Sequence, residues 1–282
     1  MTTPDARYTE SLTAQLTARG MLKPPKFLPA RVCYETQMGS VAYGVSQDAS
    51  DVDVYGFCVP PREVVFPHLA GVIEGFGRQH QRFDQFQKHH VRDDEAGCTY
   101  DMNIYSIVRY VHLCMENNPN MLESLFTPRR CVLYTSSVAE RLRERRQVFL
   151  HKGSWFKFKG FAYSQIHKMR TKEPEGKRMA MVEQFGFDVK FAYHAVRLMR
   201  EAEQVLTEHD LDLEAHAEEL LQIRRGEWTQ EEVESFFSRK EIELEALYEQ
   251  STLPHSPDED AIRDLLLECL EETYGSLDGC IV

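Results

Sequence analysis

The hydrophobic period changes once along this chain, and that change limits the architectures open to it. Up to about residue 105 the apolar residues fall in short runs separated by turns: ARVCYETQ, SVAYGV, DVDVYGFCVP, VVFP, VIEGFG, FDQFQKHHV and CTYDMNIY. DVDVYGFCVP alternates in period two, as a strand does. From Ile104 the spacing becomes three and four in IYSIVRYVHLCM, which stops at ENNPN, where Asn118-Pro119 is a turn signal. MLESLF and VAERLRERRQVFL read as helices around a Pro-Arg-Arg interruption. After the Gly153 break, long helical patterns run to the end, one of them opened by a capping box from Thr229 to Glu232. A doubly wound sheet needs strands and helices to alternate throughout. Strands first and helices afterwards predict α+β, with a small mixed β-sheet domain over residues 1–150 and an all-helical C-terminal domain over 151–282. A polar helix over about residues 8–20 and a linker, KPPKFLP, precede the first strand. The 282 residues are enough for two cores.

Charge divides in the same way. Residues 1–200 hold 28 Lys and Arg against 21 Asp and Glu, whereas 201–282 hold 5 against 24. A polyanion is attracted to the first part and repelled by the second. The most basic stretch, Lys152 to Arg178, carries eight Lys and Arg with Trp155, Phe156, Phe158, Phe161 and Tyr163 interleaved. That mixture suits phosphate contacts with stacking, and equally a segment that buries its aromatics and solvates its charges. The seven cysteines are scattered without a C-x-x-C pair, and no run has the length of a membrane span or a secretory signal. Reduced thiols, a cytoplasmic location and no membrane partner are expected.

Within DVDVYGFCVP, Asp51 and Asp53 lie on one face and Val52 and Val54 on the other. D-x-D-x-x-G opens like a calcium loop, but the twelfth position is Arg62, where a bidentate glutamate is needed. A turn or cap role suits one aspartate and not two alternating with valines. The remaining alternatives are coincidence and cation binding. Side chains two apart on a strand start about 6–7 Å from one another. Two such carboxylates can grip a pair of Mg²⁺ ions about 3.5–4 Å apart, the spacing used for in-line phosphoryl displacement. Gly39-Ser40, ten residues upstream, offers backbone amides and a hydroxyl to phosphates, although no Walker G-K-[S/T] is present.

GSVAYGVSQDASDVDVYGFCVP, taken with YDMNIYSIVRYVHLCMENNPNMLESLFTP, resembles the DNA polymerase β-like nucleotidyltransferase superfamily, and within it the predicted nucleotidyltransferases associated with RNA ligase and RNA repair. The resemblance covers residues 31–130 and extends more weakly into FGFDVKFAYHAVRLM and LLQIRRGEW. It implies a palm-like catalytic sheet and transfer of a nucleoside monophosphate from an NTP, with release of pyrophosphate. Mg²⁺ or Mn²⁺ is the implied cofactor and RNA the implied partner, the acceptor being an RNA 3′ end in repair or tRNA modification. Carried over, Gly39 and Ser40 bind the phosphates, and Asp51 and Asp53 the metals. Asp101 supplies the third carboxylate and helps deprotonate the acceptor. Without the family, Asp101 reads as a helix cap before NIYS. Asp93 and Asp94 are poorer substitutes, since RDDEAG reads as a turn.

Lys190, His194 and Arg197 share one helix face and can meet a triphosphate or an RNA backbone, or simply an interdomain surface. His80, His89 and His90 lie among Arg78, Arg82, Lys88 and Arg92 without metal-ligand spacing and read as an exposed hairpin, nucleic-acid contact being the alternative. Asn118 and Glu123 match the family block and read as structural. The acidic C-terminal helices are expected to face a protein partner or to exclude a strand. The rival functions are nucleotidylation of a protein or small molecule, and a non-catalytic RNA-binding or toxin–antitoxin-type module.

Overall fold

A computed structural model describes residues 9–46, 51–72, 76 and 82–277. Most of VIEGFG, together with Arg78, His80 and the loop residues 47–50, lies outside the described residues. Strands β1 (Val32–Gln37), β2 (Asp51–Cys58), β3 (Gln85–Asp93), β4 (Cys98–Ser106) and β5 (Val132–Thr135) form one sheet in the order β3-β4-β2-β1-β5. The central pair β2 and β4 is parallel, and the other neighbours are antiparallel. The helices of the first half are α1 (Leu12–Ala18), α2 (Arg62–Val65), α3 (Ile107–Met115), α4 (Pro119–Phe126) and α5 (Ser137–Glu144). Those that follow are α6 (Ser154–Thr171), α7 (Lys177–Phe185), α8 (Val189–Glu208), α9 (Ala217–Arg224), α10 (Gln230–Gln250) and α11 (Glu259–Tyr274). The fold is α+β.

Period two on β2 divides the molecule. Val52, Val54 and Cys58 join a smaller apolar cluster with Leu12 and Leu16 of α1, and Tyr55 and Phe57 join the large cluster on the opposite face. Asp51 and Asp53 share the parity of Tyr55 and Phe57, so they point toward the helical side. That large core is continuous across residue 150: Tyr34 and Phe57 of the sheet, Trp155 and Phe158 of α6, Val196 of α8 and Leu265 of α11 belong to one cluster. Gly56 is required where β1 and β2 approach, because a Cβ there would sit 2.0 Å from the Tyr34 carbonyl oxygen.

Several local expectations change. VVFP is not a strand: it lies in α2 and the turn after it, where Pro67 has no amide to give a ladder. The helical pattern begins at Ile107 rather than Ile104, since β4 stays paired with β2 as far as Ser106 opposite Cys58, and the Ser106 hydroxyl then caps α3 through the Arg109 amide at 3.2 Å. β5 follows Pro128-Arg129-Arg130, in the gap between the two helices read from sequence, and is too short at four residues for a periodic signal. The break at ENNPN is as expected, with Asn117 left-handed (φ 52°) and Pro119 in the first turn of α4. Both halves of the Thr229–Glu232 capping box are formed.

Part of the charge asymmetry is met within the chain. Glu241 and Glu245 of α10 meet Lys159 of α6 at 2.6 and 2.9 Å, and Glu234 meets Arg170 at 2.9 Å. Glu268 and Glu272 of α11 hold Arg141 of α5 at 3.2 and 2.8 Å, and Glu268 also holds Arg145 at 2.8 Å. These acidic side chains, read from sequence as a surface for a partner, face the basic helices of their own chain.

Glu35, unnoticed in the sequence, is fully buried on β1. Its carboxylate accepts the Leu12 and Thr13 amides at 2.5 and 3.0 Å, closing the N-terminus of α1 onto the sheet. Burial pushes its pKa from 4.5 to about 7, against the pull of those hydrogen bonds. Between these values the folded chain keeps a proton that the unfolded chain has released, so the stabilisation is full below the lower value and is lost as pH rises through the upper one. We expect stability to fall by about 3 kcal/mol over that range, as 1.36 kcal/mol per pKa unit implies. Urea unfolding at pH 4.5, 6 and 8 checks it: Glu35→Gln should flatten the profile, and an unchanged slope would assign the pH dependence elsewhere.

Candidate active site

The parallel register between β2 and β4 brings distant aspartates together. Asp53 lies opposite Asp101, and Asp51 lies opposite Thr99. Asp101 is therefore in mid-strand and is not a helix cap; that task belongs to Ser106. Gly39 opens a short 3₁₀ turn at the end of β1 with φ 77°, while the Met38 amide donates to the Asp53 carbonyl at 2.7 Å. A Cβ on Gly39 would lie 2.8 Å from Asp53 Oδ2. Glycine at this position lets the turn close directly over the carboxylate. Ser40 follows in the same turn, half-buried.

Burial pushes the Asp53 pKa up, and the charges of Asp101 and Asp51 add to the effect. Lys190 and His89 oppose it. Lys190 lies in the first turn of α8, exposed, so the sequence-predicted phosphate ligand is close enough to act on Asp53 through its field. Asp101 Oδ1 accepts the His90 amide at 2.7 Å, and Asp101 Oδ2 lies 3.5 Å from His89 Nδ1. A bulge between Lys88 and Val91, with His90 at φ 55°, makes both contacts. His89 and His90 are exposed, as the sequence suggested, yet they flank the third carboxylate, which spacing alone did not reveal.

Among the described residues no group of three or more His, Cys, Asp or Glu side chains is already gathered so as to hold a metal ion. The three aspartates are hard oxygen donors, and Asp51 and Asp101 are close enough for their charges to push up the pKa of Asp53. That chemistry matches Mg²⁺ or Mn²⁺, which takes few protein ligands and completes its shell with water and substrate phosphate.

A cavity of about 800 Å³ opens from Asp53 and Gly39 toward the helical half. One wall is α6. Its Trp155, Phe158, Ala162, Ile166 and Met169 are buried, while Phe156, Lys157, Phe161 and Lys168 line the cavity. The basic, aromatic stretch noted in the sequence thus divides between core and cavity, and WFKFKGF already carried the helical spacing that divides it. Arg178 and Phe191 form part of the opposite wall; Arg178 lies 4.1 Å over the Phe191 ring and pairs with Asp188 at 2.7 Å. Neither was singled out from sequence. His194 also lines the cavity, its pKa pushed well below the usual value by burial and then by Arg197, Lys190 and other nearby cations.

Of the two readings open for Arg197, its contacts are those of the interdomain surface. It borders the cavity but is buried and committed to Glu123 at 2.5 Å and Glu201 at 2.8 Å, with Tyr43 stacked at 4.1 Å. The Tyr43 hydroxyl donates to Glu123. The cluster ties α8 and α4 to the segment that follows Gly39-Ser40. Asp93 is likewise spoken for, its carboxylate gripped by both guanidinium nitrogens of Arg19 at 2.6 and 2.7 Å and its pKa held down to about 2.

Residues 26–268 match the sequence model of the RNA repair pathway DNA polymerase beta family. The chain belongs to that family. Membership of the RNA repair pathway DNA polymerase beta family bears out the resemblance seen in the sequence, and the match spans the whole sheet and reaches into α11. A solved structure of a nucleotidyltransferase-like protein from Exiguobacterium sibiricum 255-15 is similar at 12% identity over 92% of this chain and 79% of that one, with a TM-score of 0.30. A search of curated proteins returned no match. No helix among the described residues is long and apolar enough to cross a membrane.

Proposed function

We propose that this chain is a metal-dependent nucleotidyltransferase that joins a nucleoside monophosphate to an acceptor hydroxyl, with an RNA 3′ end as the acceptor. The observation that carries the reading is the pairing of Asp53 with Asp101 across parallel strands, under a turn whose glycine packs on the Asp53 carboxylate. Asp51, Asp53 and Asp101 would hold Mg²⁺ or Mn²⁺, which when bound neutralises the triphosphate and the charge that develops during transfer. Gly39 and Ser40 present the turn's polar groups to the phosphates, and Lys190 adds a cation at the start of α8. Asp101, its Oδ1 fixed by the His90 amide, draws the proton from the acceptor hydroxyl. The acceptor oxygen then bonds to the α-phosphorus, the bridging bond to the β-phosphate breaks, and pyrophosphate leaves with the electron pair. RNA is favoured over other acceptors by the family and by the cations of α6 that line the cavity beside aromatic rings.

The test is incubation with Mg²⁺ or Mn²⁺, each α-labelled NTP in turn, and a pool of RNA and protein acceptors. Label in RNA, with stoichiometric pyrophosphate, is expected. Label in protein would move the function to side-chain nucleotidylation. Absence of both label and pyrophosphate would overturn the enzyme reading.

A further inference from the structure

The α6 wall of the cavity contains a glycine that its helix does not need. Gly160 sits in mid-helix, where glycine is disfavoured relative to alanine, and its φ is not left-handed. A Cβ added there would meet nothing within 4 Å. Neither backbone geometry nor packing calls for glycine, and the residue faces the cavity. One turn earlier on the same stripe, Phe156 is 60% exposed at the cavity, held edge-on by Tyr248 at a centroid distance of 5.2 Å. One turn later stands Ser164, with Gln165 beside it; both line the cavity and offer donors and acceptors. Lys157 and Lys168 bracket this strip.

A flat, apolar bed beside a fixed aromatic ring, edged by amide and hydroxyl groups and flanked by cations, suits a planar ring with a polar rim attached to a polyanion. We infer that the nucleobase of the incoming NTP lies on α6 over Gly160, against Phe156, with Ser164 and Gln165 at its hydrogen-bonding edge. This inference rests on the nucleotidyltransferase reading and adds which wall holds the base. The helical half then reads the nucleotide, while the sheet holds its phosphates. Every base has a π-face, so the bed supplies affinity and the two polar side chains supply preference.

Calorimetric titration of the full chain with the Mg²⁺ complexes of ATP, GTP, CTP, UTP and inorganic tripolyphosphate tests this. At least one NTP should bind ~10- to 100-fold more tightly than tripolyphosphate, the range that stacking one base commonly provides. Gly160→Leu and Phe156→Ala should each bring that ratio toward one while tripolyphosphate affinity stays unchanged. Phe156→Ala covers the case in which the bulkier variant misfolds. A ratio of one in the wild type, or an unchanged ratio in both variants, would overturn the inference and leave the phosphate site standing. If the variants instead weakened only a short RNA with a free 3′-hydroxyl, the bed would belong to the acceptor's base and the assignment to the NTP would fall. Absence of binding by every NTP and by tripolyphosphate would remove the underlying nucleotidyltransferase reading as well.

Discussion

Asp53→Asn is expected to cut nucleotidyl transfer by about 10³-fold or more, the scale on which a metal-held charge contributes several kcal/mol to a transition state. The same substitution should raise Tm in the absence of divalent ions. The two results are linked by one cause. Burial and the charges of Asp101 and Asp51 raise the folded-state pKa of Asp53, so its ionised form opposes folding, and the stability associated with its proton is lost as pH rises through that pKa. Asparagine removes the charge and with it the penalty. Mg²⁺ or Mn²⁺ should then raise the Tm of the wild type and have little effect on the variant, because a ligand stabilises only the state that binds it. Scanning calorimetry at pH 7 with and without the ion, beside a turnover assay, decides the matter. A variant that melts lower and remains active would sink the assignment of Asp53 to the metal site.

The second large effect concerns the cluster below the cavity. Arg197→Met leaves Glu123 buried without its cation and should cost about 3–5 kcal/mol. Glu201→Gln should change stability by no more than about 1 kcal/mol, in the range of a single exchanged hydrogen bond. Burial raises the Glu201 pKa well above its usual value, against the pull of Arg197 and with a further push from Glu123, so glutamine removes a charge that is costly to bury while its amide oxygen can still accept from Arg197. Turnover should also fall in Arg197→Met well below its melting temperature, because Tyr43, hydrogen-bonded to Glu123 and stacked on Arg197, lies four residues after Gly39 and steadies that turn. Chemical denaturation of both variants measures the contrast. Equal losses would show that Arg197 is not the cation on which the cluster depends.

How much of this was legible beforehand depended on how local the cause was. The D-x-D strand, the Gly-Ser turn and the long helices follow from periods of two and 3.6, which a sequence displays directly. Asp101 could be matched to Asp53 only through a known family pattern, since the register that pairs them joins strands separated by a long connection. β5 and the bulge at His89 and His90 were hidden because their meaning lies in the neighbouring strand. The two readings of Arg197 stayed open for a related reason: helical spacing shows which residues share a face and not whether carboxylates from α4 and α8 await them. The charge excess of residues 201–282 suggested an external partner, whereas α5 and α6 of the same chain meet part of it.

The bulge on β3 has a further consequence, for solubility. β3 ends the sheet, and an open edge invites a strand from another molecule to extend it. Here the edge is broken at Lys88 and Val91, bent by the left-handed His90, and studded with Lys88, His89 and Arg92, all exposed. The irregularity that fixes Asp101 also deprives a would-be partner strand of a straight, neutral ladder, which helps keep neighbouring copies apart in a crowded solution.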